Sequence, residues 1–187
     1  MSSIKSDEEI IVSYKNGNPK EFEDLIDRYT TPLFNFTARL TDKNTALDMV
    51  QEIFIKVWKN IYRFEPAKAS FKTWIFTIAR NSVTDFLRKK KSLLFSDLQT
   101  SENENLDSFA ENIPDENILP DQALQKLEDK ELLNKTLDKI RPDYREILVL
   151  HYQEEMTFDE IGKILNKPLN TVKSSHHRAL LQLRKML

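Results

Sequence analysis

Apolar positions recur three and four residues apart through most of this chain, the period of helices that bury one face. Asp7-Glu8-Glu9 suits a first helix N-terminus and Gly17 its end. Asn18-Pro19 caps and opens a second segment carrying Phe22, Leu25, Ile26 and Tyr29, whose pattern Pro32 interrupts or restarts before about Leu40. A third segment runs from about Thr45 to Tyr62, burying Val50, Phe54, Val57 and Ile61. A fourth, Phe71 to Lys91, turns Phe71, Trp74, Ile75, Ile78, Ala79, Val83 and Phe86 inward. Periodicity lapses at Ser92 and resumes near Gln122 with Leu124, Leu127, Leu132 and Leu133, then Ile147, Leu148 and Leu150. Thr157 and Glu160 form a T-x-x-E capping box, which satisfies free amide donors at a helix start. Ile161, Ile164 and Leu165 follow on one face, and Asn166 to Asn170, with Pro168, breaks the pattern. Asn170 is placed to cap a last helix that turns Val172, Ala179, Leu180 and Leu183 inward. The expected fold is all-α: two small helical domains, residues 1–92 and 122–187, joined by a flexible acidic linker over 93–121.

Composition narrows the functions open to such a fold. Zero cysteines exclude disulfides and thiol chemistry and fit a reducing cytosol. The two glycines, Gly17 and Gly162, cannot build a glycine-rich phosphate loop. No apolar run reaches membrane-spanning length, and the first residues lack a signal-peptide core, so a cytoplasmic protein without membrane insertion is expected. The net charge of −2 hides strong segregation: residues 66–91 carry +6 and residues 92–125 carry −8. Local patches, not the total, set the field that a partner meets.

Three stretches carry candidate chemistry. The last is the most specific. Between Ile161 and Leu187 lie six Lys or Arg and no acid. Thr171, Ser174, His177 and Arg178 share one flank of the final helix, with Lys173 beside them. Cations and small hydrogen-bonding groups on a short helix after a tight turn suit a helix-turn-helix set in a DNA major groove; a merely solvated basic face is the plainer alternative. In SFKTWIFTIARNSVTDFLRKKK, Thr73, Phe76, Thr77, Arg80, Asn81, Thr84 and Arg88 face outward, and Tyr62, Arg63, Phe64 and Lys68 precede them. Aromatics among cations, beside an amide, suit single-stranded nucleic acid. Core packing accounts better for Phe71 and Trp74, while Phe64 and Phe76 fit either role. In DMVQEIFIKVWKNI, Asp48, Gln51, Glu52, Ile55 and Lys59 face away from the core. Periodicity alone reads that side as a solvated face with one stray apolar residue.

Taken together and in this order, the three stretches resemble bacterial sigma factors, specifically the compact extracytoplasmic-function (ECF) group of the sigma-70 family. The resemblance covers about Glu9 to Leu187 apart from the linker. It implies a factor that binds core RNA polymerase and directs promoter-specific initiation. Asp48, Gln51, Glu52, Ile55 and Lys59 would dock on the clamp helices of the largest polymerase subunit. Phe64, Lys68, Phe71, Arg80, Asn81, Thr84 and Arg88 would bind the −10 element, with Arg80, Asn81 and the Phe64–Phe71 loop capturing an extruded base. Thr171, Lys173, Ser174, His177 and Arg178 would read the −35 duplex. The acidic linker would run along the RNA-exit side of the polymerase, although a solvated tether explains its acids nearly as well. The resemblance also implies an anti-sigma factor that covers both faces, and no cofactor.

Three departures stand out. The family pattern often has a cation where Ser175 stands and an apolar residue where His176 stands. Asn166 replaces a common turn glycine, which Asn tolerates because it accepts left-handed backbone. Adjacent His176 and His177 diverge by about 100° on a helix and have no third ligand nearby in sequence, so no metal is expected. A repressor or activator acting without polymerase would need a dimer surface or ligand pocket. An enzyme using Glu154-Glu155 or Asp159-Glu160 would lack a nucleophile or metal constellation. Neither is favoured.

Overall fold

The computed structural model describes residues 5–97, 136–137 and 139–186, with side chains of 93–97 excepted. Its described elements are helices α1 (Asp7–Lys15), α2 (Glu21–Leu40), α3 (Lys43–Asn60), α4 (Phe71–Asp97), α5 (Pro142–Leu148), α6 (Phe158–Leu165) and α7 (Leu169–Arg184). A 3-10 turn, Ile61–Arg63, follows α3, and a π-helical turn, Val149–Gln153, extends α5. The fold is all-α. Most of the expected linker, and the leucine-rich run from Leu124 to Leu133, lie outside the described residues.

Local chemistry sets the helix ends. The Ser6 side chain accepts from the Glu9 amide while Glu9 reaches back to Ser6, a capping box that opens α1. Gly17, at φ +99°, releases the chain after it in a conformation that glycine adopts freely. Asp42 caps α3 through the Thr45 amide at 3.0 Å. Pro32 does not break α2, contrary to the expected interruption. The carbonyl that Pro32 leaves without its helical donor is that of Arg28, on the exposed flank, where water can serve it. Leu25, Tyr29, Leu33 and Phe36, all buried, hold both halves of the helix on the core.

Phe36, Phe71 and Phe76 are fully buried. Burying each such side chain contributes roughly 1.5–3 kcal/mol, so these three are among the main ties between α2 and α4. Phe36 meets Phe76 edge to face at 5.4 Å between ring centroids. Phe71 meets Tyr29 in the same way at 5.4 Å.

The described parts of the two units pack against one another. One buried cluster runs from Ile10 and Leu25 through Phe76 and Ala79 to Ile147, Met156 and Ile161. A smaller one, Leu137, Ile140, Leu148, Ala179 and Leu183, closes the far side of the C-terminal unit. Polar contacts also cross between units: Thr73 Oγ1 donates to Glu160 Oε1 at 3.4 Å, Arg145 Nη1 to the Arg39 carbonyl at 3.0 Å, and Lys72 to the Glu154 carbonyl. Periodicity finds the faces of single helices. It cannot tell which surplus apolar residue, here Phe76, is covered by another helix.

Candidate nucleic-acid interface

The outer face of α3 is more apolar than its sequence reading suggested. Asp48, Gln51, Glu52, Ile55 and Lys59 are all exposed, Ile55 to 51 %. Beside them Leu47, Trp58 and, in the following turn, Tyr62 are 56 %, 55 % and 66 % exposed. At 100° per residue Leu47, Ile55 and Trp58 fall within an arc of about 80°, so the stray apolar residue is part of a stripe. Asp48 and Glu52 flank it, and Glu52 pairs with Lys56 at 2.7 Å. Helical spacing from Ile55 was the available signal for Leu47 and Trp58. Exposed contiguous apolar surface is a common feature of binding faces.

The expected −10 residues divide. Phe64 and Phe71 are buried, 3 % and 0 % exposed, and pack edge to face on one another at 5.6 Å, with Trp74 at 5.4 and 5.7 Å. They are core in this structure and present no ring face to a base, which removes both from the expected −10 contacts; Phe71 thus keeps the inward place its spacing predicts, and Phe64 takes the core role of the two left open. Phe76 and Thr73, expected outward, are likewise buried, Phe76 against Phe36 of α2 and Thr73 beside Glu160 of α6. Lys68 is exposed and paired with Glu65 at 2.9 Å. Arg88 is exposed and pairs with Asp85 at 2.9 Å. Thr84 is exposed, its hydroxyl bonded to the Arg80 carbonyl at 2.9 Å.

Arg80 and Asn81 point to different places. Arg80 Nε sits 3.5 Å from Glu146 Oε1 of α5. Burial pushes the Glu146 carboxyl up to about 7, against the pull of Arg80 and Lys167. Asn81 is exposed and lines a hollow of about 490 Å³ between α3 and α4 with Lys56, Asn60, Arg63, Trp74, Ile78, Ser82 and Asp85. Lys56 Nζ donates to Ser82 Oγ at 2.8 Å, which ties the two walls together, while Asn60 Nδ2 donates to the Lys56 carbonyl at 2.8 Å within α3. The hollow combines an indole wall, two amides and two cations. That is the chemistry of a site for one unstacked base and its phosphate.

In the C-terminal unit the helix-turn-helix forms as its spacing predicts. Thr157 and Glu160 make the capping box of α6. Asn166 adopts the left-handed conformation at φ 53°, ψ 46° and ends the helix. The Lys167 amide then returns to the Gly162 carbonyl at 2.9 Å. A Cβ on Gly162 would stand 2.9 Å from the Lys167 carbonyl oxygen, so the turn needs a glycine there. Helix α7 begins at Leu169 with no side-chain cap, and Asn170 lies within its exposed first turn rather than capping it. Its leading amides are therefore free of a side-chain acceptor, as suits a phosphate.

Thr171 and Lys173 are exposed and Ser174, His177 and Arg178 half-buried on α7. The Ser174 hydroxyl donates to the Thr171 carbonyl at 3.0 Å. His176 points the other way, 7 % exposed, among His151, Tyr152 and Phe158 with ring centroids 4.9–5.6 Å away. Burial, His151 and His177 push the His176 imidazole down to about 4, so it is neutral at pH 7. It fills the place of an apolar residue. Among the described residues no three His, Cys, Asp or Glu converge on a point that could hold a metal ion.

The chain is an all-α protein that carries a helix-turn-helix, the motif of a class of DNA-binding proteins, together with an exposed apolar stripe and a polar hollow. The sigma-70 region 2 model matches residues 25–93, and the sigma-70 region 4 model residues 130–183. The chain is 34 % identical over 178 residues to the ECF RNA polymerase sigma factor SigW of Bacillus subtilis, covering 95 % of this chain and 94 % of that one. It is 27 % identical to the ECF RNA polymerase sigma-E factor of Escherichia coli, covering 96 % and 93 %. Among solved structures it is similar to the sigma factor RpoE of Bartonella quintana, crystallised with the anti-sigma factor NepR, at 25 % identity and a TM-score of 0.66 over 89 % of this chain and 96 % of that one. CnrH, in complex with the cytosolic domain of CnrY, shares the fold at 21 % identity and a TM-score of 0.65. The chain belongs to the ECF group of the sigma-70 family. Its function is promoter-specific transcription initiation through RNA polymerase.

Proposed function

We propose that three surfaces divide this work. The Leu47–Ile55–Trp58 stripe, with Asp48, Gln51, Glu52 and Lys59 at its border, docks on the clamp helices of the polymerase largest subunit. The hollow beside Asn81 takes one extruded base of the −10 element, with Lys68, Thr84 and Arg88 lying along the strand. Arg80 joins them once it is released from Glu146. Thr171, Lys173, Ser174, His177 and Arg178 read the −35 duplex from the major groove, and the uncapped start of α7 holds a phosphate.

The single observation that carries this reading is the hollow. It lies between the docking helix and the reading helix, so strand capture occurs where the polymerase is held. Extruding a base costs a few kcal/mol, which stacking on Trp74 and hydrogen bonds from Asn81 can offset.

The protein acts through polymerase and performs no chemistry itself. It works in the cytoplasm, where promoters are, and no helix among the described residues is long and apolar enough to cross a membrane. An anti-sigma factor that covers both units, of the kind crystallised with the Bartonella protein, is its expected regulator. In vitro transcription with core polymerase on genomic DNA, mapped by 5′ ends, tests the whole assignment. Start sites sharing a spaced −10 and −35 pair are expected; transcription indistinguishable from core enzyme alone would refute it.

A further inference from the structure

Helices α3 and α4 share one side chain. The Lys56 ammonium stands between two oxygens, Glu52 Oε1 at 2.7 Å, one turn back on α3, and Ser82 Oγ at 2.8 Å on α4. Ser82 is buried, 4 % exposed, and the lysine gives its hydroxyl oxygen a donor. The Lys56 side chain is 39 % exposed and lines the hollow with Asn60, Trp74 and Asn81. An ammonium has three N–H donors. Glu52 and Ser82 occupy at most two, so at least one is left for a ligand in the hollow.

We propose that Lys56 is a strand-binding residue supplied by the docking helix: its ammonium holds a phosphate flanking the base in the Asn81 hollow, and Glu52 and Ser82 position it. The inference rests on the reading of the hollow as the base site. Arg63, the other cation of the lining, stands exposed on the turn after α3, whereas Lys56 is held at two points before any strand arrives. Ordering a long flexible side chain weakens binding, and a lysine ordered beforehand spares the complex that loss. Glu52 is itself 59 % exposed, where water and salt screen its charge, so the lysine keeps its pull on a phosphate. Asp85, the acid of the lining, would repel a phosphate, but Arg88 pairs with it at 2.9 Å. Glu52 and Lys56 are one helical turn apart, so polymerase on α3 and strand in the hollow meet at the same ion pair.

The test uses holoenzyme, with core polymerase saturating so that docking does not limit the signal. The probe is a fluorescent single strand carrying a −10 element mapped for this protein, and anisotropy is read over a series of salt concentrations. Lys56→Gln keeps an N–H donor and loses the charge. It should weaken strand binding on the order of tenfold, as loss of one charged hydrogen bond does, and make the salt slope shallower by about 0.7, one phosphate contact on a single strand. Lys56→Arg should keep the wild-type slope. Ser82→Ala should weaken binding at that same slope, because the charge remains. A neutral methylphosphonate at one of the two linkages flanking the captured base should weaken the wild type on the order of tenfold and Lys56→Gln hardly at all. A lysine that merely ties α3 to α4 would not produce that difference. Lys56→Met is the second variant should Lys56→Gln be misfolded by circular dichroism. A wild-type salt slope in the variant, or equal methylphosphonate losses in wild type and variant at both linkages, overturns the proposal. An abasic nucleotide at the captured position separates the two readings. If it and Asn81→Ala both leave affinity unchanged, the hollow takes no base and both readings fall. If both weaken binding while Lys56→Gln keeps the slope, the hollow stands and Lys56 has no part in holding the strand.

Discussion

His176 Nε2 lies 3.1 Å from the Tyr152 hydroxyl, which fastens the recognition helix α7 to the π-helical turn after α5. Beside it, His151 stacks on Phe158 at 4.5 Å and donates from Nδ1 to the Met156 carbonyl at 2.8 Å. The orientation of the DNA-reading helix thus depends on a neutral imidazole inside an aromatic cluster.

That dependence has a pH signature. Burial holds His176 down to about 4, below the ordinary value of 6.5, so the folded state binds its proton less tightly than the unfolded chain. Its contribution is complete above pH 6.5 and is lost as pH falls toward 4. The groups facing it are His151, His177, Tyr152 and Phe158. Denaturant melts of the C-terminal unit should lose about 2 kcal/mol between pH 7.5 and 5. His176→Leu should flatten that slope, and an unchanged slope in the variant would place the titration elsewhere.

Glu146 should act with the opposite sign. Its carboxyl is pushed up to about 7, so the docked state binds the proton more tightly than a solvated glutamate of 4.5. The contribution is complete below pH 4.5 and is lost as pH rises through 7. Arg80 from α4, Lys167 from the turn and Asp143 on its own helix face it. Docking of the two units, read by interdomain distance, should loosen from pH 5.5 to 8. Glu146→Gln should remove that dependence.

The α3 stripe gives a binding phenotype without a stability phenotype. Trp58 and Ile55 are more than half exposed, so Trp58→Ala and Ile55→Glu should shift stability by no more than about 0.5 kcal/mol. Each should weaken core polymerase binding by about 2 kcal/mol, as central apolar anchors do. Titration calorimetry against core enzyme measures this; wild-type affinity in both would remove the docking face.

The two DNA readers should fail separately. Asn81→Ala should reduce permanganate reactivity of the −10 strand while leaving closed-complex affinity intact, because in the proposed role its hollow takes only an unpaired base. Arg178→Ala should cost about 1–3 kcal/mol of discrimination at the −35 element and leave strand opening from a supercoiled template unaffected. Equal loss of both steps in both variants would mean that neither residue has its assigned role.

Much of this protein was determined by local sequence alone. Helical periodicity, the Thr157–Glu160 capping box and the left-handed Asn166 depend on groups within a few residues of one another, so the sequence contains both partners of each interaction. The order of the three motifs was enough to expose the family. Tertiary structure decided what depends on distant partners. Phe64, which the sequence left open, became core because Phe71 and Trp74 close over it. Phe76 left the surface because Phe36 of α2 packs on it, and Thr73 because Glu160 of α6 meets it. Arg80 and Asn81 are neighbours in sequence, yet the 100° between consecutive helical residues sends one to Glu146 and the other to an open hollow. Burial is a property of pairs of surfaces, and a single chain segment records only its own half.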